Sequence, residues 1–191
     1  HDRLGDTAAT VPLLRRIAGR HPNDRSLWTQ LARRALQAGM QPVFQEARQN
    51  VSRIEGNEGS TDLLLQAWEA LQTGNSKSQA YEALVRKWGE WPDRAEVCLA
   101  MARLLSDTPE SRRVLQLYAR AVQIEPTKYE YTRAHAQHLV KAKMDAPLHR
   151  LFTRLMSDPR WSGEPLQRLL RETIQSADDA QAIHLVKQYQ S

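Results

Sequence analysis

The chain of 191 residues holds one cysteine, Cys98. An intramolecular disulfide is therefore impossible and a four-cysteine zinc site is excluded. No apolar run approaches the ~18 residues that a membrane-spanning helix needs. Phenylalanine occurs only twice and β-branched residues are sparse. The eight glycines fall at turns or helix ends and build no glycine-rich phosphate loop. Acidic residues are in the minority, 22 against 27 Lys and Arg, for a formal net charge of +5. That surplus permits acidic partners such as nucleic acid, anionic lipid or acidic protein, and demands none of them.

What the sequence does have is Ala, Leu, Gln, Arg and Glu in abundance, with five Trp and five Tyr. Straight-chain side chains lose little rotamer freedom in a helix, so this mix favours helices over strands. The apolar residues follow helical spacing. Cys98, Met101, Ala102 and Leu105 form one i, i+3, i+4, i+7 stripe, and Val114, Leu117, Tyr118 and Ala121 form the next. Between them lies "SDTPES", in which Asp107 or Thr108 can cap a helix, Pro109 suits its first turn and Glu110 its dipole.

The pattern recurs at a fixed period. Pro126 follows Pro92 by 34 residues, and Arg160, beside Pro159, follows Pro126 by the same step. Leu84, Tyr118 and Phe152 coincide under that shift. So do Ala80, Val114 and Leu148, and so do Leu71, Leu105 and Leu139. Each unit reads as helix, short turn, helix, with a Pro-containing link to the next. The boundaries expected are a half unit over 1–24, units over 25–60, 61–94, 95–128 and 129–162, and a helix pair over 163–191.

In the half unit, "GD" at 5–6 reads as a turn between two helices, with Leu14, Ile17 and Pro22 on the second. The unit from Arg25 places Trp28, Leu31, Ala32 and Ala35 on its first stripe. It is two residues longer than its neighbours, and the extra residues are expected near "GMQPVFQ" or "EGNEGST". In the last pair, Leu166, Leu169 and Leu170 form one stripe, and Ile183, Val186 and Tyr189 another. Neither end carries a polar capping face, and the opening "HDRLGD" reads as a cut through a longer array.

A 34-residue helix–turn–helix with Ala102, Val114, Tyr118, Ala121 and Pro126 at these spacings resembles the tetratricopeptide repeat family. The resemblance covers nearly the whole chain. It implies an all-α fold, a right-handed α-α superhelix of about eleven helices in which small residues let the paired helices touch. Trp68 departs from that pattern by standing in a small-residue slot opposite Ala80. Large opposite small still fills the gap, so Trp68 is expected in the core and not as an aromatic ligand platform.

The resemblance further implies that the first helices line a concave face that receives a partner. Carried onto this chain, the face holds Arg33, Leu65, Glu69, Leu99, Arg103, Arg133, Gln137, Arg168 and Arg171. The arginines can fork onto carboxylates. Leu65, Leu99 and Ala100 are expected to offer an apolar middle, and Asp62, Glu96, Glu130 and Glu164 an acidic rim. The Lys/Asn clamp of chaperone-binding members is missing from the matching positions, which disfavours a chaperone adaptor.

No constellation points to catalysis. The His135–His138 pair could share a helix face, but no third ligand is evident and Lys141 and Lys143 would repel a cation. Packing is the expected role of His135, and no metal or cofactor is expected. Cys98 lies on an apolar stripe and is expected to be buried. Asp178–Asp179 reads as a helix start. In "WGEWPD", Trp91 either lids the seam between repeats or stands exposed as a partner anchor.

The function expected is a non-catalytic scaffold that binds protein partners. The Arg/Gln-rich repeats look like segments of bacterial envelope proteins that export exopolysaccharide, which favours the periplasm. The alternative is a polyanion binder for RNA or acidic polysaccharide. RNA is disfavoured because no Tyr, Trp or Phe interleaves the basic positions.

Overall fold

The computed structural model describes residues 2–56, 59–108 and 111–189, and the capping roles read for Pro109 and Glu110 lie outside them. Among the described residues the chain is all-α, with eleven α-helices, one 3-10 turn and no strand. It divides into two compact units, residues 1–90 and 91–191.

The first unit holds α1 (Asp2–Arg20), α2 (Arg25–Gln37), α3 (Gln41–Glu55), α4 (Ser60–Thr73) and α5 (Lys77–Trp88). The second holds α6 (Ala95–Leu104), α7 (Ser111–Ile124), α8 (Tyr129–Lys141), α9 (Asp145–Met156), α10 (Glu164–Ser176) and α11 (Asp179–Tyr189). The 3-10 turn, Pro159–Trp161, joins α9 to α10. The helices α2, α4, α6, α8 and α10 begin 34 or 35 residues apart, so the positions expected at 61, 95 and 129 open equivalent helices to within one residue.

The equivalence extends to atoms. After α2 the amide of Met40 reaches the Ala35 carbonyl (2.8 Å) and that of Gly39 the Leu36 carbonyl (3.1 Å). After α8 the amide of Met144 reaches Leu139 and that of Lys143 reaches Val140, both at 2.9 Å. Both turns need a left-handed residue, supplied by Gly39 (φ 70°) and by Lys143 (φ 53°). The links between pairs are equally alike. The Pro22 carbonyl accepts from Trp28 Nε1 (3.1 Å) and Arg53 (2.7 Å), while the Pro92 carbonyl accepts from Cys98 Sγ (3.4 Å) and Arg120 Nε (2.6 Å). Cys98 is buried, and that burial pushes its thiol up to about 11, as suits a small core residue.

The core of the first unit joins Val11 and Ala18 of α1, Leu31 and Ala35 of α2, and Phe44 and Val51 of α3. That of the second joins Leu139 of α8, Leu148 and Phe152 of α9, Trp161, Leu169 of α10 and Leu185 of α11. Burying a side chain the size of Phe44 or Phe152 contributes ~2–3 kcal/mol, so packing outweighs helix propensity here.

Several expectations are corrected. The helix α1 runs through Gly5 and Asp6, where a turn was expected. One glycine within a helix costs only about 1 kcal/mol, and the stripe through Val11, Leu14 and Ala18 holds α1 on its neighbours. The unit from Arg25, expected to be longer than its neighbours, is not: α2 to α4, α4 to α6 and α8 to α10 each span 35 residues from start to start, and α6 to α8 spans 34. On α11 the residue buried is Leu185, while Ile183 is 56 % exposed and Val186 also faces outward. The helix start at Asp179 is as expected, with Asp178 Oδ1 accepting the Gln181 amide at 3.0 Å.

The most consequential correction concerns α4. Seven residues after the starts of α2, α6 and α8 stand Ala32, Ala102 and Ala136, each 0 % exposed. In α4, which begins at Ser60, the same place belongs to Ala67, also 0 % exposed. Trp68 is therefore one residue beyond the small slot. It is partly buried against the core of the first unit, as its core assignment required.

Candidate interaction surface

The slip at α4 turns its side chains by about 100° relative to the expected register. Leu65 lies inside the core at 1 % exposure, and it offers no surface to a partner. Glu69 turns towards α3, where Gln41 and Gln45 each donate to its Oε1 at 2.6 Å and Arg48 Nη1 approaches its Oε2 at 3.3 Å. Asp62, expected on an acidic rim, is buried instead and binds Arg48 Nε at 2.7 Å and Gln66 Nε2 at 2.8 Å. Burial of a carboxylate is tolerable only with such partners. This network joins α3 to α4 and leaves Arg33 as the exposed expected site residue of the first unit.

In the second unit the apolar middle is likewise absent, since Leu99 and Ala100 of α6 are both buried. Arg103, half-buried, lies beside the Tyr118 phenol of α7. Two imidazoles of α8 cover that phenol, His135 stacked at 6.0 Å between ring centroids and His138 tilted at 5.0 Å. Desolvation lowers the His135 pKa to about 4, with His138 adding to the effect. His135 thus packs between helices, the role expected for it. Among the described residues no group of three His, Cys, Asp or Glu could hold a metal ion.

Arg133 and Arg168 come together. Arg133 Nε lies 2.7 Å from Glu172 Oε2, and Arg168 Nε donates to Glu172 Oε1 at 3.0 Å. Burial works to raise the Glu172 pKa, but the bond from Arg168 and the charge of Arg133 outweigh it and hold the carboxyl below its usual range. Arg168 also covers the Tyr129 ring, its guanidinium carbon 4.8 Å from the centroid. Tyr129 in turn stacks on Trp161 at 6.2 Å, and Trp161 Nε1 is anchored to the Pro126 carbonyl at 3.0 Å. A chain of fixed groups thus leads from the link between repeats to the arginines.

Gln137 is half-buried on α8 and Arg171 is exposed on α10. Glu130 and Glu164 remain exposed at the ends of the same helices, so part of the acidic rim survives. Trp91 is 47 % exposed with Arg113 at 6.0 Å from its ring, which makes it an open aromatic and not a buried lid. Sequence reading missed Glu172 and Tyr129. The i, i+4 relation of Arg168 to Glu172 was a visible signal, whereas nothing local pairs Glu172 with Arg133 on a separate helix.

Among the described residues no helix is long and apolar enough to cross a membrane. Comparison with family models, with curated proteins and with solved structures finds no match to this chain.

Proposed function

We propose that the chain is a tetratricopeptide-like scaffold whose first helices dock segments of partner proteins and which carries out no reaction of its own. In this reading the helix pairs stack as a right-handed solenoid. The observation that carries it is the division of labour on α8 and α10. Their apolar residues Ala136, Leu139 and Leu169 are buried, while Arg133, Arg168 and Arg171 stand on the exposed side. Helices that repeat with near-constant spacing suit such a role, because each pair keeps its core and is free to vary its surface.

The partner chemistry that fits is acidic. Guanidinium groups bind carboxylates in a two-point geometry that ammonium groups do not match. A place in a bacterial envelope assembly for exopolysaccharide export, in the periplasm, is the setting proposed from the resemblance. The test is capture of a defined protein by the immobilised chain from a periplasmic extract. The double variant Arg133→Glu with Arg171→Glu, with its helix content intact by circular dichroism, is expected to lose that protein. Retention by the variant overturns the assignment of the surface. The polyanion alternative is tested by binding of single-stranded RNA and of an anionic glycan over a salt series. Submicromolar and steeply salt-dependent binding of either would replace the scaffold reading.

A further inference from the structure

The Arg133–Glu172–Arg168 cluster has a feature that a purely structural ion-pair network does not require. Glu172 lies between both guanidinium groups, its Oε1 accepting from Arg168 Nε at 3.0 Å and its Oε2 ion-paired with Arg133 Nε at 2.7 Å. The terminal Nη donors of each arginine are therefore not the atoms spent on Glu172. Each guanidinium carries five N–H donors in a planar fork, and the outer pair is the edge that grips a carboxylate in bidentate fashion.

The two arginine side chains are 46 % and 49 % exposed, while Glu172 between them is 24 % exposed. The carboxylate is thus recessed between two half-exposed arginines. Arg168 is further immobilised on the Tyr129 ring, which is backed by Trp161. Long cationic side chains lose considerable rotamer freedom on binding, and here much of that loss has already occurred on folding.

Charge completes the argument. Two guanidinium groups and one carboxylate leave the cluster itself with a net positive charge, and Arg171 on α10 offsets Glu164, which acts on Arg168 from the same helix. We propose that Arg133 and Arg168 form a carboxylate-docking site already half occupied by Glu172, which receives Asp or Glu side chains of a partner's acidic segment and whose affinity Glu172 holds down. This rests on the scaffold reading and names its partner chemistry. Glu172 acts as a built-in competitor. It aligns the arginines, and it also repels the incoming carboxylate at short range in a partly desolvated site.

The experiment uses the full chain and an octapeptide of alternating Asp and Glu, amidated at its C-terminus so that only side-chain carboxylates are offered. Affinity is read by fluorescence anisotropy at fixed ionic strength, with circular dichroism and a thermal melt on every variant. Glu172→Gln keeps an acceptor oxygen for one arginine and removes the charge, and it is expected to tighten binding by about threefold to tenfold. Arg133→Ala and Arg168→Ala are each expected to weaken it at least fivefold. Arg168→Lys, which keeps the charge and loses the fork, is expected to weaken it nearly as much as Arg168→Ala.

Unchanged or weaker binding in Glu172→Gln overturns the competitor role, and indifference to both alanine variants overturns the site. Tighter binding of a uronic-acid oligosaccharide of equal charge than of the peptide overturns the assignment to protein. If the chain still captures a protein partner in a manner abolished by Arg133→Glu with Arg171→Glu while the peptide series fails, the scaffold stands and only this cluster's role falls.

Discussion

The indole N–H of Trp161 donates to the backbone carbonyl of Pro126, 35 residues earlier, at 3.0 Å. The same bond joins Trp28 to Pro22 in the first unit at 3.1 Å, although there the tryptophan stands on a first helix and not in a link. In both, the carbonyl of a link proline is satisfied by an indole side chain. Trp161→Phe removes the indole donor to Pro126 and keeps most of the apolar area, whereas after Trp28→Phe the Pro22 carbonyl still accepts from Arg53. A loss of about 1 kcal/mol is expected for Trp161→Phe and a smaller one for Trp28→Phe, read from urea unfolding midpoints at constant m-value. No change in Trp161→Phe would show that water satisfies the carbonyl equally well.

The register of α4 gives a sharper comparison. Ala67 is wholly buried and Trp68 only partly so. Ala67→Leu must find room between packed helices and is expected to cost at least 2 kcal/mol. Trp68→Leu trims a side chain at the core's margin and is expected to cost less than that. The reverse order would restore Trp68 to the small slot.

The two equivalent turns differ in how they meet the left-handed requirement. A Cβ added at Gly39 would meet nothing within 4 Å, so any cost of Gly39→Ala is backbone strain, expected at about 1 kcal/mol. Lys143 already bears that strain at φ 53°. Lys143→Gly is expected to stabilise by ~0.5 kcal/mol, because relief of strain exceeds the loss of its exposed ion pair with Asp178. Thermal melts of both variants test the pair.

His135 makes stability depend on pH. Its folded pKa of about 4 lies below the ordinary 6.5, so between these values the unfolded chain binds the proton and the folded chain resists it. Stability from this group is therefore whole above pH 6.5 and is lost progressively as the pH falls to about 4. The full effect is on the order of 3 kcal/mol. His135→Phe, which retains a ring against Tyr118, is expected to flatten this part of the profile measured by denaturant titration. A slope unchanged by the substitution would place the titration elsewhere.

The helix pairs were legible because their signals are short in range. Apolar residues at three- and four-residue spacing, Asp178 at a helix start, and prolines in the links each act within a turn or two. The slip at Ser60 was not legible, since a single extra residue leaves the period of the stripe intact and only packing reveals which alanine is buried. Leu65, like Leu99 of α6, is lost from the expected surface to burial, and Glu69 to its bonds with α3. Arg133 and Arg168 remained on it, yet their convergence on Glu172 depends on two helices lying side by side, which no local pattern encodes.

In the proposed scaffold, partners meet the first helices of the repeats. A photoreactive phenylalanine analogue at Gln137 of α8, or at Arg171 of α10, tests it against the same analogue at Gln116 of α7 or Arg154 of α9. Crosslinks to the captured partner are expected from Gln137 and Arg171 and from neither of the other two. Crosslinks from Gln116 and Arg154 alone would contradict it.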